Sequence, residues 1–259
     1  MHESGSAMQQ NYPKPSLELQ KALIEAAHAQ GLSAVAHALT LKDTLEILRC
    51  GVDGLTHCFF DAQPTDELIE LYKKNKAHCN PTLVAIGSLT TEGGALQNRF
   101  ANDPLAIKLL LSEGARANAC ACMSFGKAGG SVSNSYAAVR ALHKAGVPIL
   151  VGSDAAGPAL GTAYGLSMHQ ELRLLVHEVG MTPAEALKGA TSVTAKRFGF
   201  TDRGLIEKGR KADLVLIEGD AAAYLAGAGE HGLCLPIKGV WRDGVVADVW
   251  KENMSEMKG

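Results

Sequence analysis

Two patterns of apolar and polar residues alternate along the first two hundred positions of the chain. Short, nearly continuous apolar runs predict strands at residues 33–38, 52–58, 77–84 and 147–151. Amphipathic segments precede the first two runs at residues 17–30 and 41–50, and each segment is followed by a glycine, as helices often are. Apolar strands that alternate with helices are typical of a parallel sheet covered by helices. The fold class predicted from this pattern is therefore α/β.

Three of these strands end in a residue type that binds metal ions. His37 and His57 end the first two runs, and Asp154 follows the run at 147–151. Taken alone, a histidine at a strand end is usually structural, and Gly152-Ser153-Asp154 is also a common way to begin a turn or cap a helix. Two imidazoles and one carboxylate at equivalent strand ends match the preferences of zinc and related divalent cations. The repetition therefore predicts a shared site at the carboxyl ends of the strands.

The remaining segments predict further helices and then, from residue 204, a change from helices to short strands. Residues 90–103 suggest an irregular excursion, 101–125 and 135–145 helices, and 182–198 a helix that Thr182 caps. His78 is expected at the opposite end of its strand from His57. His169 is expected on a helix surface, with a position facing the pocket as the alternative. From residue 204 onward short strands are predicted, with Asp243-Gly244 as a hairpin turn. The predicted domains are 1–203 and 204–259.

Composition excludes several classes of function. The chain has 259 residues, 46% of them hydrophobic and 20% charged, and its net charge is −2, which is ordinary for a globular protein. No basic patch points to nucleic acid, and no apolar run has membrane-spanning length. The amino terminus has no signal-peptide pattern and the six cysteines have no paired spacing, so a cytoplasmic protein with reduced thiols is expected.

In combination, the motifs of this chain resemble those of the amidohydrolase superfamily, and most of all its imidazolonepropionase, Xaa-Pro dipeptidase and ochratoxinase-like branch. The resemblance implies metal-dependent hydrolysis of a C–N bond, in an amide, cyclic amide or dipeptide, on a (β/α)8 TIM barrel. A small-molecule substrate and a divalent metal, with zinc as the expected ion, are implied as well. The segments that carry the resemblance are 34–38, 54–57, 80–83, 152–155, 180–187 and 209–214.

The resemblance also implies a role for each candidate residue. His37 and His57 match the metal-binding histidines that end barrel strands five and six. Asp154 matches the aspartate of strand eight, which binds metal and shuttles the proton of the attacking water. Tyr12 lies where branch members place a group that binds the substrate, although a loop tyrosine stacked on Pro13 is an equally good interpretation.

Two features of the superfamily are absent from this sequence. It contains no His-x-His pair of the kind found at strand one, and it lacks the carboxylated lysine of strand four. The resemblance therefore implies the C-terminal half of the barrel, strands five to eight, followed by a small β-module. A half-barrel leaves sheet edges open. Three interpretations remain: a truncated hydrolase, a half-barrel that pairs with another copy or another chain, and an inactive relative with a structural or interaction role.

Overall fold

The computed structural model describes residues 2–4, 15–90, 92–123, 130–156, 159–227 and 232–250. Helices and strands alternate through the first part of this range, as predicted. The helices are α1 Leu17–Ala29, α2 Leu41–Arg49, α3 Asp66–Asn75, α4 Leu83–Leu89, α5 Gly93–Ala101, α6 Pro104–Leu109, α7 Glu113–Cys120, α8 Val132–Lys144, α9 Leu166–Leu174, α10 Pro183–Ala190, α11 Ser192–Arg197 and α12 Ala221–Ala226. A π-helical turn, Leu175–Val179, continues α9, and a 3-10 turn lies at Asp248–Trp250.

Four parallel strands form the main sheet in the order β1-β2-β3-β4. In this sheet Ala36 is level with Leu55, and Leu55 with Cys79. The helices between successive strands return the chain to the same edge, so all carboxyl ends lie on one side. The strands are β1 His2–Ser4, β2 Ala34–His37, β3 Gly54–Thr56 and β4 His78–Asn80.

The segment at 147–151 takes the next position in the sheet, but as a bridge and not as the predicted strand. Ile149 bridges Cys79 in parallel, with the Cys79 amide donating to the Pro148 carbonyl at 3.0 Å and the Leu150 amide donating to the Cys79 carbonyl at 2.8 Å. Pro148 has no amide hydrogen to give, and the Val151 amide donates to the Gly189 carbonyl at 3.3 Å. The ladder therefore cannot lengthen at either end.

The expectation of a strand over residues 77–84 was correct only for its first half. The strand ends at Asn80, Pro81 interrupts the ladder, and Thr82 adopts a left-handed conformation with φ 50° from which α4 begins. The irregular segment expected at 90–103 was wrong, because α5 forms there, whereas the stretch expected to be helical at 101–125 is helical in two short pieces, α6 and α7. Three short helices, α5 to α7, fill this stretch because Asp103 and Ser112 each cap a new helix with their side chains.

A second, antiparallel sheet follows, in the order β5-β6-β7. Asp243 and Gly244 join β6 to β7 with φ of 53° and 81°, the two positive φ values of a type I′ turn, which confirms the predicted hairpin. No strand forms at the expected position 204–209, where Gly204 has φ 89° within a series of bends. The strands are β5 Leu214–Ile217, β6 Ile237–Arg242 and β7 Val245–Val246.

The core lies between the parallel sheet and its helices and includes the fully buried Ile47, Leu55 and Leu68. The apolar side chains of α1 are only partly covered. Ile24 is buried, whereas Leu19 is 52% exposed and Leu23 is 42% exposed. One flank of the sheet therefore presents apolar side chains to solvent.

Helix α9 is not a surface helix, so the expectation for His169 was wrong. His169 is buried, and its Nδ1 accepts a hydrogen bond from the Leu235 amide at 2.9 Å. On the same helix, the buried Arg173 donates to the Tyr224 and Gly227 carbonyls. These polar contacts fix the connection between β5 and β6 against the helix. Within the described ranges, no helix has the length and apolar character needed to cross a membrane.

Candidate functional site

Two histidines meet at the carboxyl ends of β2 and β3. His37 is the last residue of β2, and His57 follows β3, with its amide donating to the Asn80 carbonyl at 2.9 Å. Because β2 and β3 are adjacent and parallel, both imidazoles project from the same edge of the sheet. His37 Nδ1 and His57 Nε2 are 2.9 Å apart, and the ring centroids are 4.8 Å apart. The structure therefore brings together two of the three predicted metal ligands.

The surroundings of His57 keep its imidazole neutral. Burial, followed by the charge of His37, lowers the pKa of His57 to about 3. His57 Nδ1 also lies 2.7 Å from the Thr82 hydroxyl oxygen, and both side chains are buried. A neutral imidazole with one nitrogen hydrogen-bonded and the other facing a second histidine has the form that a metal ligand needs.

Backbone strain is concentrated at this end of the sheet. Among the described residues, five that are not glycine have positive φ, and three of these are His57 at 71°, Thr82 at 50° and Asp154 at 50°. The other two, Lys76 and Asp243, lie at a helix end and in a hairpin turn, where left-handed residues are common. For a β-branched residue such as Thr82 the left-handed conformation is a genuine outlier, and strain of this kind clusters at functional sites.

The third predicted ligand lies in an exposed loop. Asp154 follows the bridge segment and is exposed. In the described part of the chain, no three side chains of histidine, cysteine, aspartate or glutamate come together as a group that could hold a metal ion. The imidazoles of His37 and His57 suit a divalent cation, because they can supply two of the ligands that zinc needs. Tyr12, the predicted substrate-binding residue, lies outside the described residues.

Asn80 contributes a polar group that the sequence did not single out. It ends β4 beside His57, and its Oδ1 is buried without a hydrogen-bond partner in the described ranges. A side chain at Gly152 would lie within 2.7 Å of this oxygen, so the glycine is what leaves room for the amide. Buried acceptors without a partner are rare in folded proteins. The side-chain oxygen thus marks the carboxyl end of β4 as a place where a hydrogen-bond donor is missing.

Glu171 is a second residue that sequence analysis missed. It is fully buried on α9, and its carboxylate accepts the Leu83 and Val84 amides at 2.8 and 2.9 Å. Burial raises the pKa of Glu171 to about 8, against the opposing effect of these two hydrogen bonds. A glutamate within an amphipathic segment gives no sequence signal of burial, because its partner amides lie nearly ninety residues earlier.

His78 lies at the opposite end of the sheet, as predicted. Its amide donates to the Asp53 carbonyl at 3.0 Å, and its Nδ1 accepts from Arg197 Nε at 3.3 Å. The ring packs edge-on against Phe198. Burial, followed by the charge of Arg197, lowers the pKa of His78 to about 4. His78 is therefore a structural residue at the contact between α11 and the sheet.

The architecture and the paired histidines define an α/β protein with polar side chains gathered at the carboxyl ends of parallel strands, the position of catalytic groups in many α/β enzymes. The sequence profile of the Amidohydrolase family matches residues 9–254. The chain belongs to this family.

Among curated proteins, the chain is similar to two bacterial imidazolonepropionases. It is 36% identical to that of Rhodococcus jostii over 128 residues, 49% of this chain and 30% of that protein. It is 39% identical to that of Nocardia farcinica over 114 residues, 44% of this chain and 28% of that protein. These alignments each span less than a third of the relative's length.

Solved structures share the fold over most of this chain. A putative prolidase from Bifidobacterium longum superposes with a TM-score of 0.69 at 23% identity, covering 99% of this chain and 60% of that one. A Xaa-Pro dipeptidase with methionine bound in its active site gives a TM-score of 0.63 at 23% identity, with 93% and 51% covered. The chain therefore spans about half to three fifths of the length of these structures.

Proposed function

We propose that the chain is part of a divalent-metal-dependent hydrolase that cleaves a C–N bond of a small amide, cyclic amide or dipeptide. The observation that carries this proposal is the buried, neutral His57 imidazole in contact with His37 at the carboxyl ends of adjacent strands. The family match and the two imidazolonepropionase relatives support the reaction class. The cytoplasm is the compartment in which we expect this protein to act.

In this proposal His37, His57 and Asp154 hold the metal, with zinc as the expected ion. The cation, when bound, supplies Lewis-acid activation of water. His57 stays neutral through burial and so keeps a lone pair available at neutral pH. Asp154, exposed in the loop after the bridge segment, would accept the proton of the attacking water and pass it to the leaving nitrogen. Tyr12 binds the substrate.

We further propose that the chain corresponds to the C-terminal half of a (β/α)8 barrel, strands five to eight, in residues 1–203, with a small β-module in 204–259. The open flanks of the sheet support this view. Leu19 and Leu23 are exposed beside β1, and a cavity of about 850 Å³ runs along the other flank at Val147 and Ile149. Another polypeptide, either a preceding segment or a second copy, covers these flanks in the working protein.

Zinc binding by the purified chain tests the proposal. About one zinc per chain is expected by elemental analysis, with loss of the metal in His37→Ala and in Asp154→Ala. His143→Ala is the matched control, because His143 lies at the end of α8 and pairs with Glu185 far from the strand ends. Retention of zinc in both site variants would contradict the assigned ligands, and a folded chain without zinc would contradict the metal-dependent reaction in this chain.

The alternative is a catalytically inactive half-barrel with a structural or interaction role. One observation favours it, since the described residues contain no group of three ligands that could hold a metal. Hydrolysis assays on amides, cyclic amides and dipeptides separate the two proposals, provided that the oligomeric state is recorded with each. Zinc binding without turnover on any of these substrates would favour the alternative.

A further inference from the structure

We propose that Thr82 and Glu171 are positioning residues for His57. Thr82 holds the His57 imidazole as the tautomer with hydrogen on Nδ1 and a free lone pair on Nε2, and Glu171 holds Thr82 in the strained backbone that this contact requires. The inference rests on the proposed role of His57 as a metal ligand. It concerns two residues that would not touch the metal themselves.

The contact between Thr82 and His57 is short and shielded from water. The hydroxyl oxygen lies 2.7 Å from His57 Nδ1, and Thr82 is 1% exposed and His57 7% exposed. A neutral imidazole carries one hydrogen and one lone pair. With the hydrogen on Nδ1 donated to Thr82, the lone pair of Nε2 points towards His37. Hydrogen bonds of this kind set the tautomer and ring orientation of histidine ligands.

Forming this contact diverts Thr82 from the capping role that three other threonines have. Thr40, Thr65 and Thr182 each precede a helix in an extended conformation, and each accepts a hydrogen bond from an amide of the first turn. Thr82 precedes α4, yet its side chain caps nothing and its φ is 50°. Its hydroxyl is turned to His57 instead, and the backbone adopts an unfavourable conformation.

Glu171 compensates for the missing cap. Its two carboxylate oxygens accept the amides of Leu83 and Val84, the first two residues of α4. The carboxylate reaches them from α9, across more than eighty residues of sequence, and is completely buried. By binding both amides directly after Thr82, it fixes the turn that presents the hydroxyl to His57. The chain of contacts thus runs from α9 through the first turn of α4 to Thr82 and the imidazole.

The metal-free protein provides the first test, because it does not depend on activity. Nitrogen-15 NMR of the histidine side chains at a pH above 7 is expected to show His57 with hydrogen on Nδ1 in the wild type. Thr82→Val, which has a similar shape and no hydroxyl, is expected to shift the tautomer equilibrium, and Thr82→Ser to retain it. Hydrogen on Nε2 in the wild type, or an unchanged equilibrium in Thr82→Val, would overturn the proposal for Thr82.

Zinc affinity provides the second test, with a control matched for burial and capping. Asp103 is also a buried carboxylate that accepts the first amides of a helix, those of Leu105 and Ala106 in α6. Thr82→Val and Glu171→Gln are each expected to weaken zinc binding about 10- to 100-fold. Asp103→Asn is expected to lower stability and leave zinc affinity within about twofold.

The outcomes separate this proposal from the proposed function. A wild type that binds no zinc contradicts the proposed function, while the tautomer measurement still decides whether Thr82 orients His57. Equal zinc affinity in wild type and Glu171→Gln overturns the role of Glu171. If Glu171→Gln does not fold, the His57 signals of Glu171→Asp in the metal-free protein decide, because a shortened carboxylate that leaves the tautomer unchanged would also overturn that role.

Discussion

At each end of strand β4 a polar side chain lies over a glycine of the neighbouring segment. The side chain at the amino end has a hydrogen-bond partner, whereas the buried oxygen at the carboxyl end has none among the described residues. At the amino end, His78 lies over Gly54 of β3, and at the carboxyl end, Asn80 lies over Gly152 of the bridge segment. The His78 ring accepts a hydrogen bond from Arg197 at its Nδ1 and packs edge-on against Phe198. The Asn80 Oδ1 is just as buried but has no hydrogen-bond partner in the described part of the chain.

Within the three residues of β4, this difference distinguishes a polar side chain that stabilises the fold from one that belongs to the candidate site. Helix α11 closes the amino end, and every contact of His78 there stabilises the fold. At the carboxyl end the polar groups are strained, as at His57 and Thr82, or lack a donor, as at Asn80. Such costs persist when the surrounding structure maintains them for another purpose, and binding of a ligand would offset them.

The largest effect is expected from filling the space under His78. Gly54→Ala places a methyl group into the ring, which is buried and cannot move without losing its contact to Arg197. We expect a loss of about 2–3 kcal/mol in the free energy of unfolding, measured by urea denaturation. Gly114→Ala is the control, because a side chain at this helical position meets nothing within 4 Å. It should be neutral or stabilising by about 1 kcal/mol. Equal stabilities of the two variants would show that the space between Gly54 and His78 can accommodate a methyl group.

A slightly smaller effect is expected from removing the two side chains themselves. His78→Ala removes a buried ring together with its hydrogen bond from Arg197 and should cost about 2 kcal/mol or more. Asn80→Ala removes an acceptor that is already without a partner, so its cost should be below about 1 kcal/mol. Thermal and urea unfolding of both variants measure the difference. An Asn80→Ala variant as unstable as His78→Ala would mean that the amide is bonded in solution and would remove the contrast between the ends.

The pH dependence of stability should also differ between the ends. The pKa of Glu171, near the carboxyl end, is raised by burial to about 8, so the folded state retains a proton that the unfolded state has lost. The resulting stability is fully present below about pH 4.5 and is lost as the pH rises through 8. The pKa of His78 at the amino end is lowered by burial and by Arg197 to about 4. Its contribution is therefore lost as the pH falls from about 6.5 towards 4.

Comparison with Glu171→Gln from pH 6.5 to 8 isolates the glutamate, because the other titrating groups are the same in both proteins. We expect the free energy of unfolding of the wild type to fall by at most about 2 kcal/mol across this window. Glu171→Gln, which has no proton to lose, should lack this contribution to the fall in the same buffers. Parallel profiles would mean that the carboxylate is already ionised at pH 6.5, with its two amide hydrogen bonds outweighing burial.

The order of strands and helices and two site residues could be predicted from local pattern. Apolar runs followed by His37 and His57 were sufficient to predict that both rings share one edge, since parallel strands leave no other arrangement. The backbone conformation of residues 80–83 could not be predicted in this way. Pro81 and the left-handed Thr82 convert an apparent strand into the start of a helix, and that choice depends on Glu171, which lies far away in sequence. The burial of His169 depends on Leu235 in the same way.

The smallest effect is expected at the surface of the amino end, where His28 and Asp53 meet. His28 Nε2 lies 2.8 Å from Asp53 Oδ2, but the two side chains are 41% and 30% exposed. The same carboxylate oxygen accepts the Ala34 amide at 2.8 Å, next to the start of β2. His28→Ala should therefore cost less than about 1 kcal/mol, because water and salt screen an exposed pair.

Raising the salt concentration from 0.05 to about 0.5 M should remove most of this small difference, because the Debye length falls well below 10 Å. Asp53→Asn should cost more than His28→Ala at every salt concentration, because it also weakens an acceptor for a backbone amide beside the sheet. If His28→Ala proved the more damaging change, the pair would be part of the closed amino end and not of its solvated rim. The contrast between the two ends of the sheet would then extend to the surface.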